Sequence, residues 1–291
     1  ADFFDWPIER SRKILEATPP EVWEQEGQKR ALQVFHAAAE RVPAYRDFLE
    51  KHGIDSSRVE TIEDFQHVPL VDKNNYLKRY PLKDLSWDGC LNVSHIISVS
   101  SGSTGSPFFW PRGVTLEMET TKVFELLLEV LFETNNRLTL FINAFAMGMY
   151  VGGPITLNSV LRVAQKHSNV TIATPGYSLD DILRVIKELG PQHDQVVLAS
   201  YPPFAKDIID EGIQQGISWQ RFNLRLLLAG EGFNEGWRDY VAELAGKRNL
   251  ARHFINLYGT ADAAILAHET PFSVIYRRAF NRNARVRKQI F

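Results

Sequence analysis

The chain has 291 residues, of which 44% are hydrophobic and 23% charged, and its formal net charge is −2. This ordinary globular composition supplies enough apolar material for one large domain or two small ones, and the near-neutral charge argues against a general nucleic-acid-binding protein. The single cysteine, Cys90, excludes a disulfide within the chain and is typical of a reducing compartment.

No stretch approaches the roughly 18 uninterrupted apolar residues that a membrane-spanning helix needs. The first residues lack the basic and apolar regions of a signal peptide. The eight histidines show no His-x-x-x-His spacing, and with one cysteine a zinc site is not expected. We therefore expect a cytoplasmic protein that does not enter a membrane.

Residues 1–94 are predicted to form a helical segment. Because the predicted helices are short and rich in aromatic side chains, we expect the segment to pack on a larger core. Pro19 and Pro20 open a long amphipathic helix, and Pro43 ends it. The run Thr61-Ile62-Glu63-Asp64 has the spacing of a capping box. Asp72 is placed to begin a further short helix.

Residues 95–291 alternate short apolar, β-branched runs with amphipathic segments. The predicted strands cover residues 96–100, 138–144, 170–174, 195–200, 224–229 and 253–257. The predicted helices cover residues 115–132, 154–167, 179–189, 203–214 and 235–245. Near-continuous apolar strands separated by helices are typical of a parallel sheet covered on both faces. The sequence therefore predicts a doubly wound α/β domain with a mostly parallel sheet, preceded by the helical segment.

Four unusual loops follow predicted strands. They are residues 100–107, Tyr201-Pro202-Pro203, Gly230-Glu231-Gly232 and residues 258–262. Parallel strands end at one edge of a sheet, and doubly wound domains bind their ligands at that carboxyl edge. We therefore expect all four loops to lie at the same edge.

The first of these loops reads Ser100-Ser101-Gly102-Ser103-Thr104-Gly105-Ser106-Pro107. Glycines let the backbone approach an anion, and hydroxyl and main-chain N–H groups donate to phosphate oxygens. No Gly-Lys-Ser/Thr closes the loop, so it is not a Walker loop. Taken alone, the pattern is as typical of a flexible surface turn as of a phosphate site.

The run 101–107 resembles the Ser/Thr/Gly-rich phosphate loop of the adenylate-forming superfamily, and within it the phenylacetate–coenzyme A ligase-like branch. Phe108 stands where many members carry lysine, which this branch commonly lacks too. The phrases Val-Pro-Ala-Tyr at 42–45 and Val-Pro-Leu-Val-Asp-Lys at 68–73 resemble the leader of the same branch, so the resemblance covers nearly the whole chain. It implies that the loop holds the β- and γ-phosphates of ATP through Ser101, Gly102, Ser103, Thr104 and Gly105, with Thr104 also catalytic.

The run Tyr258-Gly259-Thr260-Ala261-Asp262 resembles the superfamily's Tyr-Gly-x-Thr/Ser-Glu motif. The resemblance implies that Tyr258 and Gly259 lie by adenine, that Thr260 supplies a displaced catalytic hydroxyl, and that Asp262 is catalytic through Mg²⁺. Ala261 replaces the usual hydroxyl residue, and Asp262 reaches one methylene less than glutamate. The alternative for Asp262 is the N-cap of a following helix.

The segment Gly230-Glu231-Gly232 resembles the part of the family that lines the adenine pocket. Family members also carry a ribose-binding aspartate in a Thr-Gly-Asp phrase, followed by a small C-terminal domain with a catalytic lysine. No counterpart follows Asp262. The chain therefore looks like the large N-terminal part of such an enzyme.

The resemblance implies activation of a carboxylic acid by ATP and Mg²⁺ as an acyl-adenylate, followed by transfer to a thiol such as coenzyme A. Two alternatives stay open. One is an adenylyl or acyl transferase with another acceptor, like the coenzyme F390 synthetases or capsule-biosynthesis relatives, and the other is a nucleotide-binding module without turnover. The oligomeric state is open as well, a homodimer included.

Apolar and aromatic residues after two of the strands are the expected lining of the acid pocket. They are Phe145, Met149, Tyr150, Gly152, Tyr201 and Pro202, with Phe141 and Met147 beside them in the sequence. Such side chains at strand ends more often belong to the core.

The end of the chain is rich in basic residues with no acid among them. These are Arg277, Arg278, Arg282, Arg285, Arg287 and Lys288. Such a run predicts a solvated face.

Overall fold

The computed structural model describes residues 6–92, 96–100, 107–166 and 169–282. The chain divides into two compact units, of which one is Glu9–Ile96 and the other combines Ala1–Ile8 with Ile97–Phe291. Residues 101–106 of the phosphate-loop motif lie outside the described ranges, as do Arg285, Arg287 and Lys288.

The unit Glu9–Ile96 is built from helices that pack around an aromatic cluster. Two of them have a proline in the first turn. A backbone N–H at that position has no partner within the helix, so its absence in proline costs no hydrogen bond. Phe48 and Tyr76 are both buried and meet edge to face, with ring centroids 5.5 Å apart. The helices are α1 Ile8–Ala17, α2 Pro20–Arg41, α3 Pro43–Lys51 and α4 Ile62–Phe65.

Two local predictions in this unit have different outcomes. The capping box is confirmed, because Thr61 Oγ1 accepts the N–H of Asp64 and the Asp64 carboxylate accepts the N–H of Thr61. The short helix expected after Asp72 forms only as a 3₁₀ helix over Leu77–Arg79. Over residues 72–76 the chain makes a turn, in which the Asp72 carboxylate accepts the N–H groups of Asn74 and Asn75. Asparagine stabilises turns better than helix interiors, and two follow in succession.

The second unit contains a six-stranded sheet in the order β4-β3-β5-β6-β7-β8, in which all neighbours are parallel except β7 and β8. A separate two-stranded sheet pairs β1 with β2. The strands are β1 Ile96–Val99, β2 Phe109–Arg112, β3 Thr139–Asn143, β4 Val170–Ala173, β5 Gln195–Ser200, β6 Leu224–Ala229, β7 Phe254–Thr260 and β8 Ala264–His268.

Helices cover both faces of the six-stranded sheet, as predicted. Alternate strand residues point to opposite faces, so Leu140 and Ile142 join one buried cluster while Phe141 joins the other. The first cluster is covered by α7 Leu179–Leu189, α8 Pro202–Gln214 and α9 Glu235–Leu244. The second is covered by α5 Val114–Leu126 with its π-helical continuation Leu127–Leu131, and by α6 Gly152–Lys166. Each fully buried Leu, Ile or Phe contributes roughly 1.5–3 kcal/mol to folding.

The first predicted strand is real, but its expected place in the parallel sheet is wrong. Ile97 of β1 is 44% exposed, whereas every residue of β3 and β5 is buried. A strand that exposes an apolar side chain does not fit the middle of a sheet covered on both faces. β2 was not predicted, because Pro111 lies inside it.

Two further helices follow α9. They are α10 Leu250–His253 and α11 Pro271–Arg282. The predicted solvated face is wrong for Arg277 and Arg278 of α11, which pair with acids on other elements. Within the described ranges, no helix is both long and apolar enough to cross a membrane.

Candidate active site

The register of the parallel strands places several predicted loops at one edge. Asn143 lies beside Ala199, Ser200 beside Leu228, and Ala229 beside Leu257. The loops after β3, β5 and β6 therefore leave the sheet together. β7 continues for three residues past Leu257, so that Tyr258, Gly259 and Thr260 extend exposed from this carboxyl edge.

Tyr201 and Gly230 are in direct contact at this edge. Gly230 has φ +92°, and a Cβ added there would lie 2.3 Å from the Tyr201 ring. Only glycine fits both the backbone conformation and the close approach. The Tyr201 ring therefore lies against the start of the Gly230-Glu231-Gly232 turn, and Glu231 and Gly232 follow exposed to solvent.

Tyr258 presents an aromatic ring beside that turn. It is 63% exposed and directly follows Leu257, the partner of Ala229. Its neighbour Gly259 has no room for a side chain, since a Cβ there would lie 2.1 Å from the carbonyl oxygen of Ala264. The β7–β8 hairpin thus closes tightly behind Tyr258 and leaves its ring facing outward.

Thr260 and Asp262 lie at the tip of this hairpin. Thr260 Oγ1 accepts the N–H of Ala263 at 3.3 Å. Asp262 is exposed, and its carboxylate has no hydrogen-bond or ion-pair partner among the residues that the structure describes. The alternative role as a helix N-cap is wrong, because β8 follows and not a helix.

The described residues on either side of the phosphate-loop motif are held together. Ser100 donates its N–H to the carbonyl of Phe108 at 3.1 Å, and Ser100 Oγ accepts the N–H of Phe108 at 3.0 Å. Val99 donates its N–H to the carbonyl of Met149 at 2.9 Å and bridges Tyr150. The motif therefore starts and ends beside the loop that follows β3. Ser101, Gly102, Ser103, Thr104 and Gly105 themselves lie outside the described residues.

The predicted acid-pocket residues differ in exposure. Met149 and Tyr150 are about half exposed, at 51% and 50%, whereas Phe145 and Pro202 are buried. Gly152 begins α6. Phe141 is fully buried inside the sheet core, as the core alternative for this residue predicted.

Buried Asn143 shapes the loop that carries Met149 and Tyr150. Its Nδ2 donates to the carbonyl of Gly153 at 2.9 Å. A Cβ on Gly153 would lie 2.3 Å from the carbonyl oxygen of Ala146, so the loop folds back tightly on itself. Asn143 is the last residue of β3 and therefore ties this loop to the sheet edge.

Tyr177 was missed from the sequence. It follows β4 at the same edge, is 53% exposed, and its ring meets Phe204 edge to face at 5.0 Å. Partial burial raises the pKa of Tyr177, and the nearby Tyr201 and Tyr150 raise this pKa further. Three phenols therefore lie close together. The Thr-Pro-Gly-Tyr turn directly after a predicted strand was the signal that could have found it.

No family model matches the chain. It is 24% identical over 255 residues to a phenylacetate-coenzyme A ligase of Thermus thermophilus. The aligned region covers 85% of the chain and 52% of that ligase. Two crystal structures of 2-hydroxyisobutyryl-CoA ligase in complex with 2-HIB-AMP and CoA share its fold at 18% identity. One, in the thioesterification state, has a TM-score of 0.71 over 88% of the chain and 53% of the ligase. The other, an open conformation, has a TM-score of 0.68 over 88% and 58%.

The structural likeness confirms the predicted α/β fold with a helical N-terminal segment. The chain spans about half the length of the relatives it matches. Its sequence similarity runs along most of the chain and is not confined to one motif. The chain is therefore similar in sequence to a phenylacetate-coenzyme A ligase and shares the fold of 2-hydroxyisobutyryl-CoA ligase.

Proposed function

We propose that the chain contributes the nucleotide- and acid-binding part of an ATP-dependent acid–thiol ligase. The observation that carries the proposal is the similarity to phenylacetate-coenzyme A ligase across 85% of the chain. The clustering of the Tyr201, Gly230 and Tyr258 loops at one carboxyl edge supports it, because doubly wound folds bind ligands there.

In this proposal, residues at the carboxyl edge would form a slot for the nucleotide. Tyr258 supplies an exposed aromatic face for the adenine base, and Gly230, Glu231, Gly232 and Gly259 would line the slot with backbone. Phosphates would lie toward the loop 101–105, whose flanking residues are closed together by the two hydrogen bonds between Ser100 and Phe108. Hydroxyl and N–H donors would neutralise their charge.

The residues present fit a magnesium ion that is bound jointly by the protein and by the phosphates of the substrate. The described residues contain no group of three or more His, Cys, Asp or Glu side chains able to hold a metal alone. Mg²⁺ typically binds through one or two carboxylates, several waters and substrate phosphates. The unpaired carboxylate of Asp262 would be that protein ligand, and the metal would supply charge neutralisation at the phosphate oxygens.

In the proposed reaction an acid carboxylate oxygen bonds to the α-phosphorus of ATP, the bond to the bridging oxygen breaks, and pyrophosphate leaves. A thiolate then bonds to the acyl carbon and AMP departs. Both steps depend mainly on positioning and charge stabilisation. Thr104 and Thr260 would donate to the phosphate, and the acid would lie among Phe145, Met149, Tyr150, Gly152, Tyr201 and Pro202. The phenol of Tyr177 adds a further polar group to that lining.

A second candidate is a nucleotide-binding module with little turnover. Ala261 in the place of a hydroxyl residue and the shorter Asp262 favour it. A transferase with an acceptor other than coenzyme A shares the same first step, so its products and not its nucleotide site distinguish it.

The test measures Mg·ATP binding by calorimetry and pyrophosphate release with a panel of carboxylic acids. We expect Asp262→Ala to weaken Mg·ATP binding by about tenfold or more, roughly 1.4 kcal/mol, while Asp180→Ala, at another exposed position, leaves it unchanged. ATP binding without pyrophosphate release would favour the binding module. Equal magnesium dependence in the two variants would remove Asp262 from the site.

A further inference from the structure

A group of cations lies at the opposite edge of the same sheet, where the strands begin. Arg225 is the second residue of β6 and is only 6% exposed. Its Nη1 donates to the carbonyl of Arg252 at 2.7 Å, and Arg252 lies on α10, which leads into β7. We call Arg137, Arg225, Lys247 and Arg252 the amino-edge cluster.

Glu133 pairs with two of these four cations, and no other carboxylate in the part of the chain that the structure describes forms an ion pair with any of them. Glu133 Oε2 lies 3.1 Å from Arg137 Nη2, and Glu133 Oε1 lies 3.6 Å from Arg252 Nη1. Glu133 has a left-handed backbone with φ +56°, an uncommon conformation for a residue other than glycine. With four cations and one anion, the cluster carries a surplus charge of about +3 at neutral pH.

The surplus charge is partly buried, which makes it unfavourable. Burial lowers the pKa of Arg225, the charge of Glu133 opposes this shift, and the charges of Arg137 and Arg252 lower the pKa further. Burial likewise lowers the pKa of Lys247, with Arg225 adding to the effect. Arg225 Nε is buried and has no hydrogen-bond partner among the described residues. Burying more positive than negative charge in one place leaves a standing electrostatic cost that Glu133 offsets only in part.

We propose that the amino-edge cluster is a binding site for a small phosphate-class oxyanion. A dianion would cancel most of the surplus charge, and guanidinium groups match phosphate oxygens in pairs. The side chains of Arg137 and Arg252 are 39% and 53% exposed, so an anion reaches them from solvent.

The site is distinct from the candidate nucleotide site. Arg225 and Gly230 are five residues apart along β6, which corresponds to about 17 Å in an extended strand. One nucleotide phosphate therefore cannot contact both edges. The proposal does not depend on the ligase function.

The experiment titrates the 291-residue chain with inorganic phosphate at low ionic strength and follows binding by calorimetry and the His253 ring by NMR. The charges of Arg225 and Lys247 both act on His253, so its resonances report on this edge and not on the nucleotide edge. We expect saturable binding with a shift of the His253 resonances. Arg225→Met should abolish both signals, while Arg184→Met, which removes an exposed arginine on α7, should leave both intact.

Two milder variants keep the test decisive if Arg225→Met does not fold. Arg252→Gln removes a half-exposed cation and should weaken phosphate binding by about 3- to 10-fold. Glu133→Gln removes the competing carboxylate and should tighten it by a similar factor, since each change removes one nearby charge. A purely structural role for Glu133 predicts no tightening.

Several outcomes would overturn the proposal. They are the absence of saturable phosphate binding, binding that leaves the His253 resonances unmoved, and equal affinities in wild type, Arg252→Gln and Glu133→Gln. Pyrophosphate and a phosphomonoester, titrated in parallel, distinguish free phosphate from a phosphorylated molecule as the preferred ligand.

Discussion

Two arginine clusters in the same α/β unit differ in whether nearby carboxylates balance their positive charge. Around Arg238, three arginines meet three acids: Arg238 bonds Glu235 and Glu269, and Arg277 and Arg278 share these carboxylates and Asp239. The amino-edge cluster has four cations and pairs with Glu133. The first cluster is balanced within the chain, whereas the second is left with a surplus.

The balanced cluster also satisfies its hydrogen bonds. Arg238 is fully buried, and its remaining donor meets the carbonyl of Phe254 at 2.6 Å. The Phe233 ring lies 4.8 Å from the Arg238 guanidinium carbon, a cation–π geometry. Every nitrogen of the Arg238 guanidinium thus has a partner, whereas Nε of Arg225, which is nearly as buried, has none among the described residues.

The largest effect is expected from breaking the balanced cluster. Arg238→Met would leave the buried carboxylates of Glu235 and Glu269 short of a partner, and we expect a loss of about 3–5 kcal/mol in the free energy of unfolding. Urea denaturation followed by circular dichroism measures it. Arg184→Met, at an exposed position on α7, should change stability by at most about 0.5 kcal/mol. A loss of similar size in both variants would contradict the assigned role.

A much smaller effect is expected from Arg225→Met in the surplus cluster. The variant loses the hydrogen bond to Arg252, but it also removes a buried charge that repels Lys247. Because these effects oppose each other, we expect a net change within about 1 kcal/mol in phosphate-free buffer. The same denaturation series measures it. A loss equal to that of Arg238→Met would mean that Arg225 is as well compensated as Arg238.

Sequence patterns were sufficient for the features that depend on local chemistry. Continuous apolar runs located β3 to β7, and α7 is observed over the predicted residues 179–189. The Thr61 capping box formed as its spacing indicated. The same patterns could not show that β1 pairs outside the parallel sheet, nor that β8 folds back against β7, because strand pairing depends on partners distant in sequence.

The ion pairs of Arg277 and Arg278 likewise could not be predicted from sequence patterns, because their partners are distant in sequence. A run of basic residues without nearby acids predicts a solvated face, but Glu235 and Asp239 lie about 40 residues earlier and meet the run only after α11 folds against α9. At the carboxyl edge, glycine and tyrosine motifs drew attention to Gly230 and Tyr201. Their contact depends on a backbone φ of +92°, which no residue pattern states.

The smallest expected effect is a pH dependence of stability that arises from His253, whose pKa depends on the charges of the amino-edge cluster. Burial lowers the pKa of His253 below its ordinary 6.5, the hydrogen bond to the Asn249 carbonyl opposes this shift, and the charges of Arg225 and Lys247 lower the pKa further. The unfolded chain therefore takes up a proton at His253 at a higher pH than the folded chain does. Stability should accordingly be unaffected by His253 above pH 6.5 and should fall as pH drops below it, by at most about 1.4 kcal/mol per pH unit.

The measurement compares the free energy of unfolding of wild type and His253→Asn between pH 5 and 7.5 in a buffer without oxyanions. The difference in free energy of unfolding between the two proteins isolates the contribution of His253. Measured in the Arg225→Met background, the pH dependence of this difference should be smaller, because one charge that repels protonated His253 is gone. Added phosphate should shrink it too, since a bound anion raises the pKa of His253. A difference that does not change with pH would show that the surplus cluster does not act on this ring, and the contrast between the two arginine clusters would then rest on Arg225 Nε alone.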